Sequence, residues 1–138
     1  DNALSHEVAS AEIAAGADII FTMLNSGRQG ATDAIREHGA RHIGNVRDWT
    51  ADDPEVFVAS AIANVSIPAL EAARDLAEAD WEPGVVRRIG LENPEAVRLA
   101  LAPDVPDAVR QELEVLRDRI IADEIEVSVV YDGEEFAY

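Results

Sequence analysis

The six residues Asn25-Ser26-Gly27-Arg28-Gln29-Gly30 bring together amide and hydroxyl side chains, a guanidinium and two glycines. They follow the apolar run Ala17–Met23 and lead into a segment with helical spacing of Ala31, Ala34 and Ile35. Unpaired backbone N–H groups at such a helix start, flanked by small residues, can approach a polar ligand rich in hydroxyls or carbonyls. A plain strand-to-helix turn has the same composition. Other groups suggest less chemistry. His38 and His42 lie on either side of Gly39 and so do not share one helical face, and with His6 they read as surface or helix-end histidines. Asp48, Asp52 and Asp53 could hold a divalent cation, but equally suit a solvated loop, which is the reading favoured. With no cysteine, thiolate nucleophiles, thiolate metal sites and disulfides are excluded. There is no His-Glu-x-x-His, Walker or Gly-x-Ser-x-Gly sequence. No catalytic residue, metal or cofactor is assigned, and the chain reads as a binding module and not an enzyme.

Composition supports that reading. The 138 residues carry a formal net charge of −17, and all eleven basic residues are arginine. Nucleic-acid and anionic-membrane binding both need a concentrated positive face, so both are disfavoured. At 48% hydrophobic residues the chain can fold despite its charge. Its length suits one core and not two domains with a cleft between them. No apolar run approaches the roughly 20 residues of a membrane span. The sequence opens at Asp1 without an initiator methionine, as a processed or trimmed product would. Abundant carboxylates, absent lysine and small apolar residues resemble proteins adapted to high salt.

Periodicity gives the elements that position the loop. Leu4, Val8, Ala11 and Ala15 form a helical stripe ended by Gly16, and Ala17–Met23 reads as a strand covered on both faces. A helix then ends at Gly39 and a strand spans His42–Val46. Val56–Ile62 predicts a third strand, Val65–Ala79 a helix with Pro68 in its first turn, and Val85–Leu91 a further strand. Val105, Val109, Leu113, Leu116 and Ile120 mark a helix over 106–122, with Asp104 or Asp107 as its N-terminal acid. A β-branched tail, Ile125–Val130, is followed by the turn Tyr131-Asp132-Gly133. Alternating strands and helices at this spacing predict an α/β fold with a three-layer parallel sheet.

The order of several landmarks resembles the basic-membrane-lipoprotein (BMP, PnrA-like) family of solute-binding proteins. They are Gly16-Ala17-Asp18-Ile19-Ile20-Phe21, the Gly27…Gly30 loop, Ile43-Gly44, the Ser60 strand with its following helix, Gly90-Leu91, and the Val105-Pro106 helix closing with Ile120-Ile121-Ala122-Asp123-Glu124-Ile125. The resemblance implies residues 1–138 as a single lobe of a type I periplasmic-binding-protein-like fold, matching the C-terminal half of the family's usual chain. It also implies a hinge-crossing segment at about 63–82 and a long C-terminal helix at about 106–122. Such receptors are exported as lipoproteins, clasp a small polar ligand, often a nucleoside, between two lobes and deliver it to an ABC transporter permease.

Carried over by position, the resemblance puts Asn25, Ser26, Gly27 and Arg28 on the ligand cleft, with Asn45, Arg47, Asp48, Trp49 and Asn64 completing the wall. Asp48 is the acid near the position that often meets sugar hydroxyls, and Trp49 has a ring that could stack on a base or pack in the core. The sequence departs from the family pattern in three places. Val46 replaces an acid, Ala63-Asn64 replace a lysine or polar aromatic, and Asp123 replaces the glycine that closes the last helix. A lone lobe would also expose a half-cleft, through which a homodimer could form by way of the helix Ile67–Ala79. The alternative reading is a small regulatory or protein-interaction domain, located in the cytoplasm and without a transport role.

Overall fold

The computed structural model describes residues 1–128 and Gly133. Its elements are α1 (Asn2–Ala14), β1 (Ile19–Phe21), α2 (Arg28–His38), β2 (Arg41–Val46), β3 (Phe57–Ala63), α3 (Ser66–Glu78), β4 (Val97–Leu101) and α4 (Asp107–Ile121). The Asp1 carboxylate starts α1 by accepting from the Ala3 and Leu4 amides at 2.7 and 3.4 Å. Gly39, at φ 69°, ends α2 in a left-handed cap where the Ala40 amide donates to the Ile35 carbonyl at 3.0 Å.

The sheet runs in the order β1-β2-β3-β4. β1, β2 and β3 are parallel, with Ile20 opposite His42 and Ile43 opposite Ala59. α1 and α2 belong to the core, where Ala9, Ala31, Ala34 and Ile35 gather with Ile20, Val56 and Phe57. The α/β class expected from periodicity is present, and its parallel part is the first three strands.

β4 departs from the all-parallel expectation. It joins β3 antiparallel, with Ala59 opposite Leu101 and Ala63 opposite Val97. The ladder extends through the Asn64 amide to the Ala96 carbonyl at 2.7 Å and the Ala102 amide to the Val58 carbonyl at 2.9 Å. The strand expected over Val85–Leu91 is absent, and these residues hold no regular element. Arg87 instead pairs with Asp75 of α3, and Trp81, Val85 and Ile89 line a groove with Pro68 and Ala72 of the same helix. This segment therefore lies along α3. The alternating sequence of Val97–Leu101 takes the sheet edge.

Two faces also differ from expectation. α1 turns Ser5 and Ala9 inward, leaving Leu4 and Val8 exposed. The cause is Gly30, where an added Cβ would stand 1.9 Å from the Asn2 carbonyl oxygen. Backbones this close admit only small side chains between the helices, so Leu4 and Val8 are displaced toward β1. In β1 only Ile20 is buried, with Ile19 48% and Phe21 54% exposed, because this strand is a sheet edge covered on one face among the described residues.

α3 and α4 have no fully buried residue. Pro68 lies in the first turn of α3, and Leu113, Leu116 and Ile120 of α4 face Leu99 and Leu101 across an apolar groove. Asp107 lies in the first turn of α4, whereas Asp104 accepts from both terminal nitrogens of Arg41 at 2.6 and 3.2 Å. This charge-assisted fork holds the Asp104 carboxyl below its ordinary range. Residues 126–128 belong to no regular element, and Val129-Val130 with Tyr131-Asp132 lie outside the described residues.

Candidate ligand-binding site

In an open parallel sheet the strand C-terminal ends and the loops after them are where ligands bind. Here β1 leads through Thr22–Gly27 into α2, and β2 ends in a sharp reversal. The Arg47 amide donates back to the Asn45 carbonyl at 2.9 Å while Val46 takes φ 72°. This is a γ-turn of the rarer, strained hand, built on a β-branched residue.

A buried serine on β3 fixes this turn. Ser60 Oγ donates to the Arg47 carbonyl at 2.6 Å and accepts from the Trp49 amide at 3.4 Å. The Trp49 ring lies over Gly44, where an added Cβ would be 2.6 Å from Trp49 Cδ1. Its indole N–H donates to the Asn45 carbonyl at 2.9 Å, and the ring stacks on Phe57 with centroids 5.6 Å apart. Two guanidiniums approach the same ring, Arg47 at 3.8 Å and Arg28 at 4.4 Å from its centroid.

Asn45 joins the two loops. Its buried side chain donates to the Thr22 carbonyl at 3.0 Å and accepts from Arg28 Nη2 at 3.4 Å, and Arg28 also donates to the Leu24 carbonyl at 2.9 Å. Arg28, Asn45, Arg47 and Trp49 thus form one cluster. Asn25 and Ser26 are exposed on the adjoining loop, whereas Gly27 is buried with its carbonyl accepting from Ser5 Oγ at 2.5 Å. Asp48 folds its own loop by accepting from the Thr50 hydroxyl at 2.6 Å and the Thr50 amide at 3.0 Å. Asn64, exposed beyond β3, bonds to Ser66 and Glu95 and not to the cluster.

The three loop aspartates have separate partners, since Asp52 pairs with Arg47 and Asp53 with Arg36. Among the described residues no three carboxylates or imidazoles gather as a metal site.

His42 departs from the reading of a surface histidine. It is fully buried on β2 and stacks on Phe57 at 4.5 Å. Its Nε2 lies 3.0 Å from the Thr22 hydroxyl and its Nδ1 3.4 Å from that of Thr32. Thr32 gives its own proton to the Arg28 carbonyl at 2.9 Å, which leaves it to accept from Nδ1–H. Burial, then the Arg28 charge, pushes the imidazole down to about 4, so it is neutral at pH 7. The signal for this lay in the strand's alternation, since His42 and Gly44 share one face of β2. His6, by contrast, sits on the surface 3.0 Å from Glu37.

The chain belongs to the family described as ABC transporter substrate-binding protein PnrA-like, whose model matches residues 1–130. A solute-binding protein of an ABC transporter system from Aeropyrum pernix K1 superposes with a TM-score of 0.78 at 18% identity, covering 96% of this chain and 46% of that one. One from Conexibacter woesei DSM 14684 superposes at 0.67 and 18% identity, covering 93% and 43%. A protein described as a transcriptional activator of the comK gene from Bacillus halodurans superposes at 0.76 and 19% identity, covering 86% and 42%. The chain therefore spans less than half the length of these structures. No curated protein matches it at a significant level. Among the described residues no helix is long and apolar enough to cross a membrane.

Proposed function

We propose that this chain is one lobe of an ABC transporter receptor and holds a small polar solute at the C-terminal ends of β1, β2 and β3. The observation that carries this is the link from Arg28 through Asn45 to Thr22, which sets the Asn25–Arg28 loop beside Arg47 and Trp49. Family membership supports the solute-binding role, and the resemblance adds a nucleoside as the ligand class. In the whole receptor the solute sits between two lobes, with 63–82 crossing the hinge. The receptor is anchored as a lipoprotein on the extracellular or periplasmic side and docks on its permease.

The lobe-facing surface supports one further part of this reading. Val65, Leu70 and Leu76 are exposed on or beside α3, so an isolated lobe pairs with a second copy through that helix. Light scattering over a range of concentrations tests this, and a monomer throughout would remove it.

The binding role is tested by calorimetric titration of the chain with a panel of purine and pyrimidine nucleosides. Saturable binding is expected, weakened by Asn25→Ala, because Asn25 is exposed and its loss leaves the core intact. A folded chain that binds no member of the panel would remove the nucleoside assignment. A regulatory role is the second reading, favoured by the shared fold with the described transcriptional activator. It predicts solute binding without capture by a permease.

A further inference from the structure

We infer that the solute carries an oxyanion, a carboxylate or phosphate group, seated on the Arg28 guanidinium. This rests on the reading above, that the solute binds at the ends of β1 and β2, and it specifies the solute's charge.

The half-buried arginines are Arg28, Arg41 and Arg110. Asp104 neutralises Arg41, and Arg110 spends its donors on the carbonyls of Ala102 and Val105. Arg28, like Arg110, bonds only neutral acceptors, here Leu24 O and Asn45 Oδ1, but unlike Arg110 it opens α2 at the C-terminal end of β1. No carboxylate pairs with it among the described residues, in a chain of net charge −17.

The surroundings point the same way. Arg28 lines an open groove of about 390 Å³ between α2 and the loop after β2, within the size range of ligand clefts. The groove's other two arginines are already matched, Arg36 to Asp53 and Arg47 to Asp52. The Trp49 ring bounds Arg28, and the Asn45 and Leu24 bonds fix it, so the cation is oriented before any ligand arrives. A preoriented, uncompensated guanidinium suits an oxyanion, which it binds through charge-assisted hydrogen bonds.

Two measurements on the chain test this. Calorimetry compares adenosine with adenosine 5′-monophosphate, and NMR follows the His42 imidazole with inorganic sulfate at constant ionic strength. At least tenfold tighter binding of the monophosphate is expected, abolished in Arg28→Gln and reduced in Arg28→Lys, which keeps charge but loses the fork. Sulfate should raise the His42 pKa by screening the Arg28 charge, and Arg28→Gln should raise it without sulfate and remove the response.

Adenosine binding as tightly as its monophosphate, or a preference that survives Arg28→Gln, overturns the inference while leaving the solute-binding reading intact. A sulfate response without binding of either nucleoside form supports the oxyanion site and removes the nucleoside assignment. No binding and no sulfate response removes both.

Discussion

The hydroxyl of Ser60, on β3, donates at 2.6 Å to the carbonyl of Arg47, the residue that follows the end of β2. One buried oxygen on one strand thereby holds the turn that closes its neighbour, and the same oxygen accepts the Trp49 amide. Replacing Ser60 by alanine leaves both groups without this partner. A loss of about 1–3 kcal/mol is expected in urea unfolding. Trp49 fluorescence should move with it, and an unchanged emission spectrum would show that the ring is held by its other contacts alone.

Gly30 sets the distance between α1 and α2. Gly30→Ala places a methyl against the Asn2 backbone and should cost about 1–3 kcal/mol as the helices separate. Gly27→Ala meets nothing closer than the Ser5 side chain, at 3.3 Å, and should cost less. Ser5→Ala removes the Oγ at 2.7 Å but should not rescue Gly30→Ala, because the nearest obstacle, the Asn2 carbonyl, is main chain. Thermal unfolding of the single and double variants checks this ranking.

Stability should fall in mild acid. An unfolded chain protonates His42 near its ordinary value of 6.5, and the folded chain only near 4. Between these values the unfolded state binds more protons. The histidine's contribution is thus complete above about pH 6.5 and is lost as pH falls to about 4, with a size on the order of 3 kcal/mol. Urea unfolding between pH 4 and 7 should show this slope, and His42→Gln should flatten it.

Among the described residues, three other than glycine take positive φ: Val46 at 72°, Ala79 at 59° and Asp123 at 56°. Glycine at each removes strain but loosens the unfolded chain. Val46→Gly should therefore stabilise most, by about 1 kcal/mol, since a β-branched residue is least suited to this region. Asp123→Gly should be nearly neutral, because aspartate tolerates the left-handed region. Denaturation midpoints that rank Asp123→Gly above Val46→Gly would contradict this account.

β1 to β3 and α1 to α4 were legible because their apolar spacing and the stops at Gly16 and Gly39 are local signals. The inward face of α1 was not, since Leu4 and Val8 outrank Ser5 and Ala9 in hydrophobicity while the close approach at Gly30 comes from a partner helix. Val85–Leu91 has the β-branched character of a strand, but the pairing of Arg87 with Asp75 is a tertiary fact. At the candidate site, the loop Asn25–Arg28 and the turn Asn45–Trp49 could be named from order along the chain. That Asn45 joins them, that Asp48 serves its own loop and that His42 is buried beneath them all depend on register between strands.

Asn45 ties the β1 loop to the β2 turn, Ser60 ties that turn to β3, and Ser5 ties the start of α2 to α1. Loops fastened on three sides move together and not separately. On the proposed reading they would behave as one jaw with its teeth already set, so that little ordering entropy would be spent at capture. Selectivity would then come from what the preset wall rejects, and a poorly matched solute would have no softer edge against which to adapt.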